Sequence, residues 1–394
     1  MSLSWGQLSG QLVENSLKKR IPFIGEFELT PRCNLHCKMC YVCQDSSNKK
    51  IMKEERTAKE WIRLAYEARD AGMLFLLLTG GEVFLRTDFK NIYEELSKMG
   101  LFITLFTNGT MITPEIASWL GRIAPSQVEI TLYGASSETY GRVCGNPDGF
   151  LRTMRGLKLL LDQSINVQIK TTIIKENMED YDRLVEIADS FGLNLGVVNY
   201  VAPRRDGNRH SPIQERLSPI ELATFEEKVS MKEFTEQTNL LSDKLSELQS
   251  DTILSHSKDI AKYKKQQDLL IKDYYTDNFP CNSGKNSFWV TWDGKMVPCT
   301  FMDSPATYPF EKGFQTAWEE LKKSCNLVPV CTTCQECSLN EYCQSCPATL
   351  RMETGSFTEP APYLCKLAQE RQMNADKYMK YGGIFNEGIC ETNI

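Results

Sequence analysis

Short β-rich runs alternate with amphipathic helical runs over the first two hundred residues, and this rhythm constrains the fold more than any other feature. Strands are expected at 23–30, 74–79, 102–107, 127–133, 167–174 and 195–201. Helices are expected near 58–71, 89–99, 114–123, 150–162 and 180–191. Thr57 with Glu60 makes a capping-box pattern, and Thr113-Pro114 places proline at a first helical position. Strands that alternate with helices imply a parallel sheet. Six units are too few to close an eight-stranded barrel, so the expected class is α/β, an open partial (β/α)6 barrel. In such sheets ligands bind at the carboxyl ends of the strands.

The chain has 394 residues, enough for two domains. A net charge of −6 gives no reason to expect a nucleic-acid partner. No apolar run reaches the length of a membrane span, and no secretory core follows Lys18-Lys19-Arg20, so a cytoplasmic protein is expected. In that compartment 15 cysteines are expected to bind metal rather than to form disulfides. Three histidines, His36, His210 and His256, leave little scope for a histidine-rich metal site.

The first strand runs into Cys33-Asn34-Leu35-His36-Cys37-Lys38-Met39-Cys40, a CxxxCxxC spacing. Three thiolates on one tight loop can hold three irons of a [4Fe–4S] cubane and leave the fourth iron open to a substrate or cofactor. A zinc site borrowing a fourth ligand from elsewhere is the plainer alternative. Thr79-Gly80-Gly81-Glu82 closes the second strand, Thr107-Asn108-Gly109 the third, and Thr131-Leu132-Tyr133-Gly134 the fourth. Taken together these segments resemble radical S-adenosylmethionine (SAM) enzymes. The resemblance implies that Cys33, Cys37 and Cys40 carry the catalytic cluster and that its open iron chelates SAM. It further implies SAM contacts from Gly80, Gly81 and Glu82 to the amino group, from Thr107 and Asn108 beside the cofactor, and from Thr131 and Arg142 to the ribose or carboxylate. By the same resemblance Met39 takes the place of a bulky residue near adenine, with filler in the core as the alternative.

A second cysteine framework fills the last third. Cys281 is followed by a hairpin pattern with an Asp293-Gly294 turn, then Cys299, then Cys334-x2-Cys337-x5-Cys343-x2-Cys346 and Cys365. Two zinc sites are the alternative here. With the upstream motifs, the spacing is similar to the SPASM domain, which carries two auxiliary [4Fe–4S] clusters, three clusters in all. By that resemblance Cys334, Cys337, Cys343 and Cys365 hold one, and Cys281, Cys299 and Cys346 the other. The final gap is one residue shorter than the usual pattern. That form looks closest to maturases that build thioethers in ribosomal peptides, where an open auxiliary iron can take a substrate thiolate. Cys325 or Cys331 could instead fill the open position. Thr300 stands where sulfatase-maturing relatives carry a catalytic aspartate, and Asp303 lies three residues on, so formylglycine formation is not expected.

The expected domains are an N-terminal arm (1–22), the barrel (23–217), a helical bridge (218–278) and the cysteine-rich domain (279–394). Cys43, Cys144 and Cys390 read as plain thiols, with hydrogen donation to a peptide radical as the alternative for one of them. What the resemblance implies is a peptide maturase. SAM is cleaved to a 5′-deoxyadenosyl radical, the radical takes a hydrogen from a precursor peptide, and a crosslink forms, foremost a cysteine thioether. Its partners are the precursor peptide and a flavodoxin- or ferredoxin-type electron donor; because only about twenty residues precede the first strand, any leader recognition is expected from a separate leader-binding protein or another segment. A carbon–carbon or carbon–oxygen crosslink, a peptide epimerase, and a non-enzymatic iron–sulfur or zinc scaffold remain as other readings.

Overall fold

In the computed structural model the described residues are 5–42, 44–205, 210–230 and 279–387. They fall into two compact units. The first joins the chain up to Arg216 with Cys281–Val328, and the second takes Leu217–Pro280 with Pro329 onward.

The first unit is built on one eight-stranded sheet. The strands are β1 (Ile24–Glu28), β2 (Phe75–Thr79), β3 (Phe102–Thr107), β4 (Gln127–Thr131), β5 (Val167–Thr172), β6 (Leu195–Val198), β7 (Ser287–Val290) and β8 (Met296–Val297). Their order is β8-β7-β1-β2-β3-β4-β5-β6. From β1 through β6 every pairing is parallel, which is the expected six-unit partial barrel. The expected helices form at Ala58–Asp70, Phe89–Ser97, Pro114–Arg122, Gly149–Asp162 and Tyr181–Ser190. Thr57 and Glu60 close the capping box in both directions, and Thr113 accepts from the Ile116 N–H with Pro114 at the first turn.

Elements beyond the expected set also form. A helix, Trp5–Lys19, occupies much of what reads as an arm, and a short one, Ser137–Cys144, follows β4. The expected hairpin forms, but in a place the sequence did not show. Its first strand adds to the barrel, pairing parallel with β1 so that Phe27 stands opposite Val290. The domain expected over 279–394 is therefore divided, with Cys281–Val328 joining the first unit and Pro329 onward the second. The physical reason lies in Gly25. A Cβ there would lie 2.9 Å from the Phe288 ring, so only glycine leaves room for that ring against β1. Phe288 then packs with Phe27, Phe314 and Trp318.

Alternation along the strands sorts their two faces. Phe27 points outward to Trp61 of Ala58–Asp70, with ring centroids 5.1 Å apart, so its neighbours Glu26 and Glu28 face the barrel interior. On that interior side Lys170 bonds Glu129 at 2.5 Å and lies over the Phe106 ring. Glu28, fully buried, pairs with Arg205 and accepts from Trp289 Nε1 at 3.2 Å. Charges this deep need partners, and these pairings supply them on the interior face.

Burial pushes Glu26 up to about 7. An acid whose folded pKa exceeds its unfolded value holds its proton more tightly when folded. Its stability contribution is undiminished below about 4.5, declines between about 4.5 and 7, and the full penalty is present above. Replacement by glutamine is expected to flatten that decline, on the order of 3 kcal/mol, in urea melts across the range. A slope identical to the parent's would show that Glu26 is ionised without cost.

In the second unit, helical residues 219–230 begin with a box in which Ser218 N–H donates to Glu221 and Glu221 N–H to Ser218. Arg371, on the helix Pro362–Glu387, grips Glu226 through two bonds of 2.7 Å. The rest of the expected bridge, 231–278, lies outside the described residues, as do Cys43 and Cys390. Among the described residues no helix is long and apolar enough to cross a membrane.

Candidate active site

The CxxxCxxC loop leaves the carboxyl end of β1 and is braced on three sides. The first brace is the end of β2. Leu29 N–H donates to Thr79, Gly81 N–H to Thr30 at 2.7 Å and Glu82 N–H to Arg32 at 2.9 Å. A Cβ on Gly80 would lie 2.2 Å from the Thr30 carbonyl oxygen, and one on Gly81 2.2 Å from that of Arg32. These glycines thus admit the backbone of the cysteine loop itself, where the sequence suggested only a ligand's approach. Gly81→Ala is expected to displace the loop and cost about one cluster's worth of iron. Gly100→Ala, with open space at its Cβ but positive φ, is expected to cost about 1–2 kcal/mol and no iron. Equal iron content in both variants would refute this role for Gly81.

The second brace is the end of β3. Asn108 donates to Asn34 at 2.9 Å, Asn34 to Thr110 at 2.8 Å, and Asn108 Nδ2 reaches Cys33 Sγ at 3.6 Å. The third is the carboxyl end of Ser137–Cys144, whose free carbonyls need donors. His36 N–H supplies Cys144 at 3.0 Å and Lys38 N–H supplies Val143 at 2.9 Å. Beneath the loop, buried Arg32 forms two bonds to Glu55, at 2.7 and 3.0 Å. Neither this pair nor Arg205 with Glu28 was legible in the sequence, because each joins residues whose separation carries no periodic signal.

The three thiols are near neighbours. A hydrogen bond with Cys144, then burial, then the charges of Cys144, Cys40 and Cys33 push the Cys37 thiol well up. Thiols crowded in this way give up their protons on binding a metal cation, and the N–H of Leu35 already points at Cys33 Sγ at 3.5 Å, the kind of hydrogen bond that tunes cluster sulfurs. The donor set therefore fits an iron–sulfur cluster, although among the described residues no three such side chains have closed to metal-ligand spacing. Cys144 beside Cys37 is a neighbour that a lone cysteine in the sequence gave no means of finding.

Glu82 is fully buried, and burial pushes it up to about 7 against the bonds it accepts from Asn108 N–H, Phe84 N–H and the Thr107 hydroxyl. Thr107 and Asn108 thus orient the carboxylate. Thr131 ends β4 opposite Lys170. Met39 is buried with Leu35, Tyr140 and Val143. Arg142 is half-exposed and held by Glu138 at 2.7 Å and Glu176 at 3.4 Å. A cavity of about 250 Å³ lies between the segment after Cys40 and the hairpin, lined by Tyr41, Arg205, Trp292, Asp293, Lys295 and Asp303 among others.

The second framework divides between the units. Cys281, Cys299 and Cys325 belong to the first. Cys331, Cys334, Cys337, Cys343, Cys346 and Cys365 belong to the second. There, burial and then the Cys331, Cys365 and Cys343 thiols push Cys334 up to about 12. Burial and then Cys343, Cys337 and Cys331 push Cys365 up. These thiols thus lie within electrostatic reach of one another, with Cys331 among them, while among the described residues no three such side chains stand at metal-ligand spacing. Cys346 caps Pro347–Thr354, and its sulfur accepts from Thr349 N–H at 3.5 Å.

The fold is thus a six-unit open barrel with three cysteines braced at its carboxyl edge. Residues 27–188 match the radical SAM superfamily. That superfamily binds a [4Fe–4S] cluster and SAM. Among relatives, the chain is 27% identical over 360 residues to the AdoMet-dependent heme synthase of Methanosarcina barkeri, covering 87% of this chain and 96% of that protein. It is 24% identical over 302 residues to the sporulation killing factor maturation protein SkfB of Bacillus subtilis, covering 76% and 65%. Among solved structures, Streptococcus suis SuiB bound to SAM matches with a TM-score of 0.63 at 18% identity, covering 91% of this chain and 82% of that one. The same protein bound to its precursor peptide SuiA gives 0.64.

Proposed function

We propose that the protein is a radical SAM peptide maturase that installs a crosslink, foremost a cysteine thioether, in a ribosomally made precursor. The observation that carries the reading is the three-cysteine loop, braced by β2, β3 and the Ser137–Cys144 helix at the mouth of a charge-lined barrel. Cys33, Cys37 and Cys40 would hold the catalytic cluster. With SAM bound, that cluster supplies radical hydrogen abstraction. Glu82, oriented by Thr107 and Asn108, receives the SAM ammonium. Thr131 and Arg142 serve its ribose and carboxylate, and Met39 packs near its adenine. The cavity between Tyr41 and the hairpin takes the peptide, with Arg205 and Lys295 offering donors and Asp293 and Asp303 acceptors. Two auxiliary [4Fe–4S] clusters on the C-terminal cysteines take up the surplus electron, and a flavodoxin- or ferredoxin-type protein supplies the first. SkfB and the SuiB fold support a peptide substrate.

Heme synthesis is the second reading, favoured by the near-complete overlap with the Methanosarcina protein. One experiment separates the two. A cysteine-containing peptide encoded beside the gene is incubated anaerobically with enzyme, SAM and reductant in heavy water, then weighed by mass spectrometry. Loss of two hydrogens with a cysteine that no longer alkylates is the expected result. Two hydrogens lost with the thiol free points to a carbon–carbon or carbon–oxygen link. One solvent deuterium gained at carbon means epimerisation. An unchanged peptide beside heme formed from a porphyrin precursor overturns the peptide reading.

A further inference from the structure

The reading above leaves two cysteines, Cys325 and Cys331, as rival ligands for the iron site of the hairpin. The structure separates their neighbourhoods. Cys331 sits with Cys334, Cys343 and Cys365 in the second unit. Cys325 ends the helix Phe314–Cys325 in the first unit and is 4% exposed. Its sulfur lies against the turn that begins at Cys281. A Cβ on Gly284, whose φ is +69°, would fall 2.5 Å from Cys325 Sγ and 3.8 Å from Pro298, the residue before Cys299. That turn is held by Gly284 N–H donating to Ser287 at 2.9 Å, and Cys281 Sγ contacts Ser283 Oγ at 3.2 Å. Cys325 thus lies against the turn that begins at Cys281, on the side of Gly284 where Pro298 leads into Cys299, although among the described residues no three such side chains stand at metal-ligand spacing.

We propose that Cys325 is an iron–sulfur ligand of the site that includes Cys281 and Cys299. The inference rests on the reading that this chain carries auxiliary clusters. Its chemistry suits the surroundings. The buried Cys325 sulfur is turned toward the Cys281 turn rather than toward solvent, the placement a ligand of that site needs. Metal binding releases one proton from the thiol and forms the Fe–S bond, with no change of oxidation state. The competing role is plain packing, because Phe314, Ala317, Trp318 and Leu321 precede Cys325 along the same buried stripe.

Cys325→Val keeps the apolar volume and removes the ligand, whereas Cys325→Ser keeps a weaker oxygen ligand. The test counts iron and sulfide per chain and records Mössbauer and EPR spectra on the full-length protein after anaerobic reconstitution, with deoxyadenosine formation as the control for the Cys33/Cys37/Cys40 site. For Cys325→Val a loss of about four irons with that control intact is expected. Cys325→Ser is expected to retain iron with a shifted auxiliary EPR signal. Cys331→Val is expected to leave the hairpin cluster's signal unchanged. Parental iron content and spectra in Cys325→Val overturn the proposal and leave packing as its role. If that variant does not fold, an unshifted spectrum in Cys325→Ser overturns it instead. Zinc in place of iron overturns it too. Parent protein with iron for one cluster only overturns it together with the auxiliary-cluster reading. None of these outcomes depends on which substrate the enzyme uses, so the failure of the peptide reading would be seen separately.

Discussion

Replacing Cys33, Cys37 and Cys40 together by alanine is expected to abolish SAM cleavage while leaving about two thirds of the iron in place. The loss follows from chemistry, since no other group in the barrel presents three thiols to a cluster on one loop. Survival of the fold follows from the backbone. The loop is tied down by amides and carbonyls of Leu29, Gly81, Glu82, His36 and Lys38 rather than by the thiols. The Cys334, Cys337, Cys343 and Cys365 set lies in the other compact unit and shares no residue with the loop. Deoxyadenosine release measured by chromatography, with iron counted on the same sample, is the check. Release at the parental rate would move the catalytic cluster elsewhere. Loss of all iron would mean that the two cysteine frameworks are not independent.

The second large effect is thermodynamic. Arg205→Ala is expected to destabilise the protein by about 3–5 kcal/mol, because it strands Glu28 with no exposed surface and no counter-charge. The remaining donor, Trp289 Nε1 at 3.2 Å, is neutral and cannot offset a buried carboxylate. Adding Glu28→Gln should recover part of the loss, since the neutral amide has no charge to desolvate. Urea denaturation of the two single variants and the double closes the cycle. A loss below about 1 kcal/mol for Arg205→Ala would mean that Glu28 is hydrated or protonated rather than paired.

Much of the barrel was legible because its information is local. Period-two and period-3.6 patterns mark strands and helices, and a capping pair such as Thr57 and Glu60 acts over three residues. The cysteine loop was legible for the same reason, its three thiols lying within eight positions. Gly80 and Gly81 were readable as special but not for their actual use, since the backbone they admit belongs to Thr30 and Arg32, some fifty residues earlier.

The chain's own order of residues therefore determined the six βα units, the edge at which chemistry gathers, and which cysteines are available to hold metal. Only tertiary structure decided that β7 belongs to the barrel sheet, that Glu28 meets Arg205, that Cys144 lies beside Cys37, and that Cys325, not Cys331, shares a compact unit with Cys281. The physical reason is separation along the chain. Each of these pairings closes a loop of roughly a hundred residues or more, or chooses between cysteines six positions apart, and a packed interior settles such choices through shape and charge that no periodicity records.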